Sequence, residues 1–138
     1  MENNTSLIDE IIAVVKEKQN KVKNEENAMP WEKSFVRPKH KVYANVTLDD
    51  INVKGTLEYL NFYSNTDDQN DSLLMITITF YITENNIAYA IEYNRKIDDP
   101  FINVIIARNY GDEETTYDRV RETELPETFL KDILEAIK

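Results

Sequence analysis

Between Ser6 and about Lys23, apolar residues recur at spacings of three and four (Leu7, Ile8, Ile11, Ile12, Val15, Val22), while Asp9, Glu10, Lys16 and Lys23 fall elsewhere. Residues so spaced share one face of a helix, so the pattern predicts an amphipathic helix over 6–23. A hydroxyl at Thr5 or Ser6 can accept from the free amides of its first turn. The stripe thins after Val15, and the last turns are expected to project toward solvent. Residues 24–40, NEENAMPWEKSFVRPKH, lose this period and carry Pro30 and Pro38. Proline removes a backbone donor and pushes its predecessor toward an extended conformation, which predicts a linker with Trp31 and Phe35 as aromatic anchors.

From 41 to 122 the period changes to two. KVYANVTL (41–48) alternates Val42, Ala44, Val46 and Leu48 on one face; INVKGTLEYLNFYS (51–64) follows Asp49-Asp50, with Gly55 as the expected bulge. LLMITITFYIT (73–83) places Leu74, Ile76, Ile78, Phe80 and Ile82 inward, with Thr77, Thr79 and Tyr81 outward. Glu84, Asn85 and Asn86 predict a tight turn into IAYAIEYNRKI (87–97), because Asn tolerates the positive φ that such hairpins need. INVIIARNY (102–110) and TTYDRVRE (115–122) follow, with GDEE (111–114) between them. No helical stretch interrupts the series, so neighbouring strands should pair antiparallel as a meander.

The chain ends with a second helical stripe over 126–138: Phe129, Leu130, Ile133, Leu134 and Ile137, entered at Pro126. Such a stripe needs a surface to cover. The architecture that follows is α+β in two layers: a curved antiparallel meander of five to six strands with the N-terminal and C-terminal helices on one face. At 138 residues, 41% apolar and 30% charged, the chain is expected to be one domain over 1–138.

Charge sharpens this picture. Met1–Leu48 holds 8 Lys and Arg against 7 Asp and Glu, a balance of +1, whereas Asp49–Lys138 holds 8 against 19, a balance of −11. Acid concentrated in the strand region repels nucleic acid and anionic membrane and favours a basic protein partner. The basic residues of the first part, among them Lys16, Lys18, Lys21 and Lys23, are interleaved with Glu17, Glu25, Glu26 and Glu32, which argues against direct nucleic-acid binding there. Cysteine is absent, the start lacks the basic n-region of a signal peptide, and no stretch approaches the length of a membrane span; a cytoplasmic protein is expected.

The chemistry open to the chain is narrow. NTDDQNDS (65–72) has the alternate Asp67, Gln69 and Asp71 of a calcium loop, yet Ser72 and Ile78 stand where that loop needs glycine and a bidentate Glu. We read it as a solvated turn in an acidic rim. With only Gly55 and Gly111 there is no Gly-rich phosphate loop. His40, the sole histidine, sits in a basic stretch, and Ser6, Ser34, Ser64 and Ser72 lie in no nucleophile motif. No metal or cofactor is implied.

In a meander successive turns fall at alternate ends of the sheet. Asp67, Asp68 and Asp71 should therefore lie near Asp98 and Asp99, and Asp112, Glu113 and Glu114 near Asp49, Asp50 and Glu84. With Tyr81 and Tyr89, favoured residue types at interface centres, these carboxylates are the expected partner-binding residues. The richness in Asn, Ile, Lys and Glu resembles, in composition alone, accessory proteins of phages and mobile elements, many of which inhibit another protein. The function expected is non-catalytic: an acidic protein-binding module, in the manner of an inhibitor or antidote of a basic or nucleic-acid-processing protein. The alternative is a small-ligand-binding protein or an enzyme with its site in the concave sheet face. A homodimer through the open sheet face or edge is compatible with either.

Overall fold

Seven strands lie between two terminal helices in the computed structural model of the protein, which describes residues 4–23, 35–67, 72–96, 99–108, 115–121 and 124–138. Helix α1 spans Asn4–Lys23 and α2 spans Glu127–Ile137. The strands are β1 (Phe35–Val36), β2 (Tyr43–Leu48), β3 (Ile51–Asp67), β4 (Ser72–Glu84), β5 (Ile87–Lys96), β6 (Asp99–Arg108) and β7 (Thr115–Val120). Every pairing is antiparallel and the order is β1-β3-β4-β5-β6-β7, with β2 also on β3. The α+β architecture with an uninterrupted meander is as the alternation predicts.

The alternation decides which face meets the helices. Val46 and Val53 pair across β2 and β3, and Leu60, Phe80, Ile91 and Val104 form one row from β3 to β6. All six are fully buried and join Leu7, Ile8, Ile11 and Val15 of α1 and Phe129, Leu130, Ile133 and Ile137 of α2 in one apolar cluster. The helices lie against each other; α1 also touches β1 and β3, and α2 touches β2. Pro126 caps α2 rather than entering its first turn. At the other end of α2, Lys39 N donates to the Ala136 carbonyl at 2.8 Å, satisfying one of the free carbonyls of the last turn.

Three local findings correct the expectations. Part of the expected linker is strand: Phe35 and Val36 pair with Asn61 and Leu60, on the same edge of β3 as β2, with Pro38 in the break between them. The end of α1 is not free in solvent, since Gln19 Nε2 donates to Asn61 Oδ1 at 3.3 Å and to the Phe62 carbonyl at 3.5 Å. And the bulge of β3 lies at Glu58, between the pairs Leu57↔Ile82 and Tyr59↔Tyr81, whereas Gly55 stays in register with Ala44. Glycine at 55 answers a close approach instead: its φ is 152°, and a Cβ there would collide with the Thr83 carbonyl oxygen.

Both ends of the sheet are blunted against further pairing. On β7, Asp118 and Arg119 oppose the single residue Asn103, between Ile102↔Val120 and Val104↔Tyr117, and Arg119 takes φ 62°. A bulge of this kind twists an edge away from a would-be partner strand. At the opposite edge the Pro38 break serves the same end.

Candidate functional site

Side chains alternate across a strand, so a bulge of one residue exchanges the faces beyond it. Before Glu58 the inward residues of β3 are Ile51, Val53 and Leu57; after it they are Leu60 and Phe62. Tyr59 and Asn61 are thereby turned to the face opposite the apolar core, Asn61 close enough to the β3 edge for Gln19 of α1 to reach its Oδ1. There Tyr59 stacks on Tyr81 with ring centroids 4.2 Å apart, and Phe35 of β1 tilts against Tyr59 at 4.7 Å. The Arg37 guanidinium lies 5.4 Å from the Phe35 centroid and 5.8 Å from that of Tyr59, so a cation already occupies this end of the aromatic row.

Next to the rings the open face is polar. Asn61, Thr79, Glu92 and Asn103 form one cross-strand row, and Tyr63, Thr77, Asn94 and Phe101 the next. Thr77 Oγ1 donates to Asn94 Oδ1 at 2.8 Å and Asn94 Nδ2 to the Glu92 carbonyl at 3.3 Å. Thr79 and Asn94 are each only 5% exposed, as buried as core residues although they face away from both helices. Among the described residues the Glu92 carboxylate receives one long hydrogen bond, from Asn103 Nδ2 at 3.5 Å. No cation pairs with it among the described residues, and the Asn103 amide oxygen is buried there without a donor. Burial pushes the Tyr81 phenol up from its usual pKa, with Tyr59 and then Glu92 adding to the rise.

The same face continues past the rings into an open groove of about 550 Å³ lined by Tyr43, Asn45, Lys54, Gly55, Thr56, Thr83, Glu84 and Asn85. It sits where β2 and β4 flank β3, over the Gly55 approach. Thr83 Oγ1 donates to Glu58 Oε1 at 2.8 Å on its border. An open trough that size is short of the enclosure by which small-molecule sites bury most of their ligand.

The expected binding residues separate in the structure. Tyr81 is on the helix-free face, beside Tyr59. Tyr89 pairs with Ile82 and Ile106 and is 8% exposed on the helix side, alongside the fully buried Tyr93, so Tyr89 belongs to the core and not to a docking surface. Asp67 closes β3 and Asp99 opens β6, and the row Asn65, Met75, Lys96, Asp99 sets those strand ends at one end of the sheet. Asp68, Asp71, Asp98, Asp112, Glu113 and Glu114 lie outside the described residues, as does Trp31. At the opposite end, the Asp49-Asp50 and Asn85-Asn86 turns are exposed, with φ of 50° at Asp49, 47° at Asn85 and 69° at Asn86.

Sequence reasoning missed Tyr59, Asn61, Glu92 and Asn103. Alternation along β5 and β6 could have put Glu92 and Asn103 opposite Ile91 and Val104, but nothing local marks Glu58 as the bulge that turns Tyr59 outward. His40 is exposed, its Nδ1 3.3 Å from the Lys41 carbonyl. Among the described residues no three His, Asp or Glu side chains group as a metal-binding set, and no helix is long and apolar enough to cross a membrane. Set beside known proteins, the chain matches no family model, no curated protein and no solved structure.

Proposed function

We propose that the protein is a non-catalytic, cytoplasmic binding module that engages a basic protein partner through the helix-free face of its sheet, in the manner of an inhibitor or antidote. The observation that carries this reading is the open face itself, where the stacked Tyr59 and Tyr81 adjoin the carboxylate of Glu92, which no described cation neutralises. Tyrosine offers large contact area at little rotamer cost, which suits an interface centre. The −11 balance of residues 49–138 supplies the long-range attraction for a basic partner and opposes pairing of the face with a second copy. The open shape of the neighbouring groove favours the contour of a macromolecule over an enclosed metabolite.

The test is capture from native cell lysate by the tagged protein, at low and high salt, beside a Tyr59→Ala/Tyr81→Ala variant whose fold is verified by circular dichroism. A basic protein retained at low salt, released at high salt and lost by the variant is the expected result. Retention unaffected by both salt and the variant would overturn the reading.

A further inference from the structure

Glu92 occupies the middle of the helix-free face, half-buried, between Thr79 and Asn103 in its cross-strand row. Among the described residues its one side-chain hydrogen bond is the 3.5 Å approach of Asn103 Nδ2, longer than a good hydrogen bond to a carboxylate. Asn103 pays for this in turn, because its amide oxygen is buried without a donor. Arg37 stands over Phe35 and Tyr59, at the far end of the aromatic row, and Arg95 is turned to the helix side, where it pairs with Asp9. Arg119 of β7 opposes Asn103 and has an interaction of its own; among the described residues no salt bridge reaches the Glu92 carboxylate. A carboxylate without a counter-ion gains when a partner brings the opposite charge to it.

We propose that Glu92 and Asn103 together receive the guanidinium of an arginine side chain presented by the basic partner, beside the ring of Tyr81. Turning the Asn103 amide end for end brings its Oδ1 next to the Glu92 carboxylate and sends Nδ2 to the position where the oxygen now lacks a donor. Two acceptors side by side repel each other until a donor bridges them. Guanidinium is a planar fork of N–H groups that gives one bond to each, and its face suits the π-surface of Tyr81. An ammonium offers no such fork, so arginine is selected over lysine. The inference rests on the open face being the docking surface.

The experiment follows the Asn103 side-chain amide and the backbone amides of the face by NMR, titrating the protein with N-acetyl-arginine amide, and with N-acetyl-lysine amide and the neutral N-acetyl-citrulline amide in parallel. The arginine probe should shift Asn103, Glu92 and Tyr81 signals, with lysine weaker and citrulline silent. Glu92→Gln, which keeps the shape, should weaken the arginine response about tenfold while leaving shifts at Asp49 and Asp50 in place. Arginine shifts confined to those turns, or equal in Glu92→Gln, would overturn the proposal. Partner capture separates the two claims: loss with Tyr59→Ala/Tyr81→Ala but full retention with Glu92→Gln keeps the docking face and removes the arginine site, whereas retention by both variants removes the face as well.

Discussion

Tyr59 and Tyr81 stack with their ring planes 25° apart, on strands brought into that register by the extra residue Glu58. Burial, then Tyr59, then Glu92 disfavour the Tyr81 phenolate and raise its pKa above the ordinary value of 10.0, against the opposing hydrogen bonds of Thr79 and Asn61. Because the folded-state value is the higher, the unfolded chain gives up this proton first as pH rises. The stability Tyr81 contributes is therefore complete below about pH 10 and is lost as pH climbs through the folded-state value. Urea midpoints measured upward from about pH 9 should fall more steeply for the wild type than for Tyr81→Phe. Parallel curves would show that the phenol is not desolvated.

Phe80 and Phe129 join sheet to helix, with centroids 6.2 Å apart and planes tilted by 59°. Phe80 is fully buried and Phe129 nearly so. Phe129→Ala should cost about 3–5 kcal/mol by leaving a cavity under α2, and Phe129→Leu less than about half of that. Chemical denaturation measures both. A loss under about 1 kcal/mol for the alanine variant would mean that α2 can close over the gap.

Gly55→Ala tests the crossing of β2, β3 and β4. The new methyl would meet the Thr83 carbonyl oxygen and the Ile82 side chain, and the φ of 152° is unfavourable to any side chain. Backbone atoms cannot swing aside as a lysine tip can, so the loss should exceed about 1 kcal/mol. Ala44→Gly, at the paired position, removes only a small buried methyl and should be milder. Equal losses would show that the approach is relieved by a shift of β4.

How far the sequence reveals this molecule depends on the range of the signal. Leu74 to Ile82 and Phe129 to Ile137 are periodic over many residues, and strand and helix appeared where the period put them. The Asn85-Asn86 turn was equally legible, because positive φ is a property of single residues. Glu58 is different: a bulge follows from how β3 is shared between β2 at one end and β4 at the other, and no local residue type announces it. Phe35 and Val36 were misread for a similar reason, as two residues carry no period and pair only because Leu60 and Asn61 present a free edge. The same limit divided the tyrosines. Tyr89 and Tyr81 both alternate cleanly, but only the observed register places the first beside Ile82 and Ile106 and the second beside Tyr59.

The last prediction concerns what holds α1 to the sheet. Asp9 Oδ1 lies 2.6 Å from Arg95 Nη1, with the Asp9 side chain 54% exposed. Solvent screens such a pair, so a double-mutant cycle should return about 0.5 kcal/mol of coupling, shrinking at high salt. Arg95 does more than pair: its guanidinium lies 5.5 Å from the Tyr93 ring centroid and its Nε donates to the Tyr93 hydroxyl at 3.2 Å. Tyr93 is fully buried, and losing that donor adds a cost of about 1–2 kcal/mol to the lost packing of the arginine stem. Arg95→Ala should thus destabilise by clearly more than Asp9→Ala, and Arg95→Lys should not rescue it, since a lysine cannot serve the carboxylate and the hydroxyl with one rigid fork. If Asp9→Ala proved as costly as Arg95→Ala, the ion pair rather than the ring contact would be the tie. The attachment of α1 would then weaken sharply with salt, which thermal unfolding at two ionic strengths detects directly.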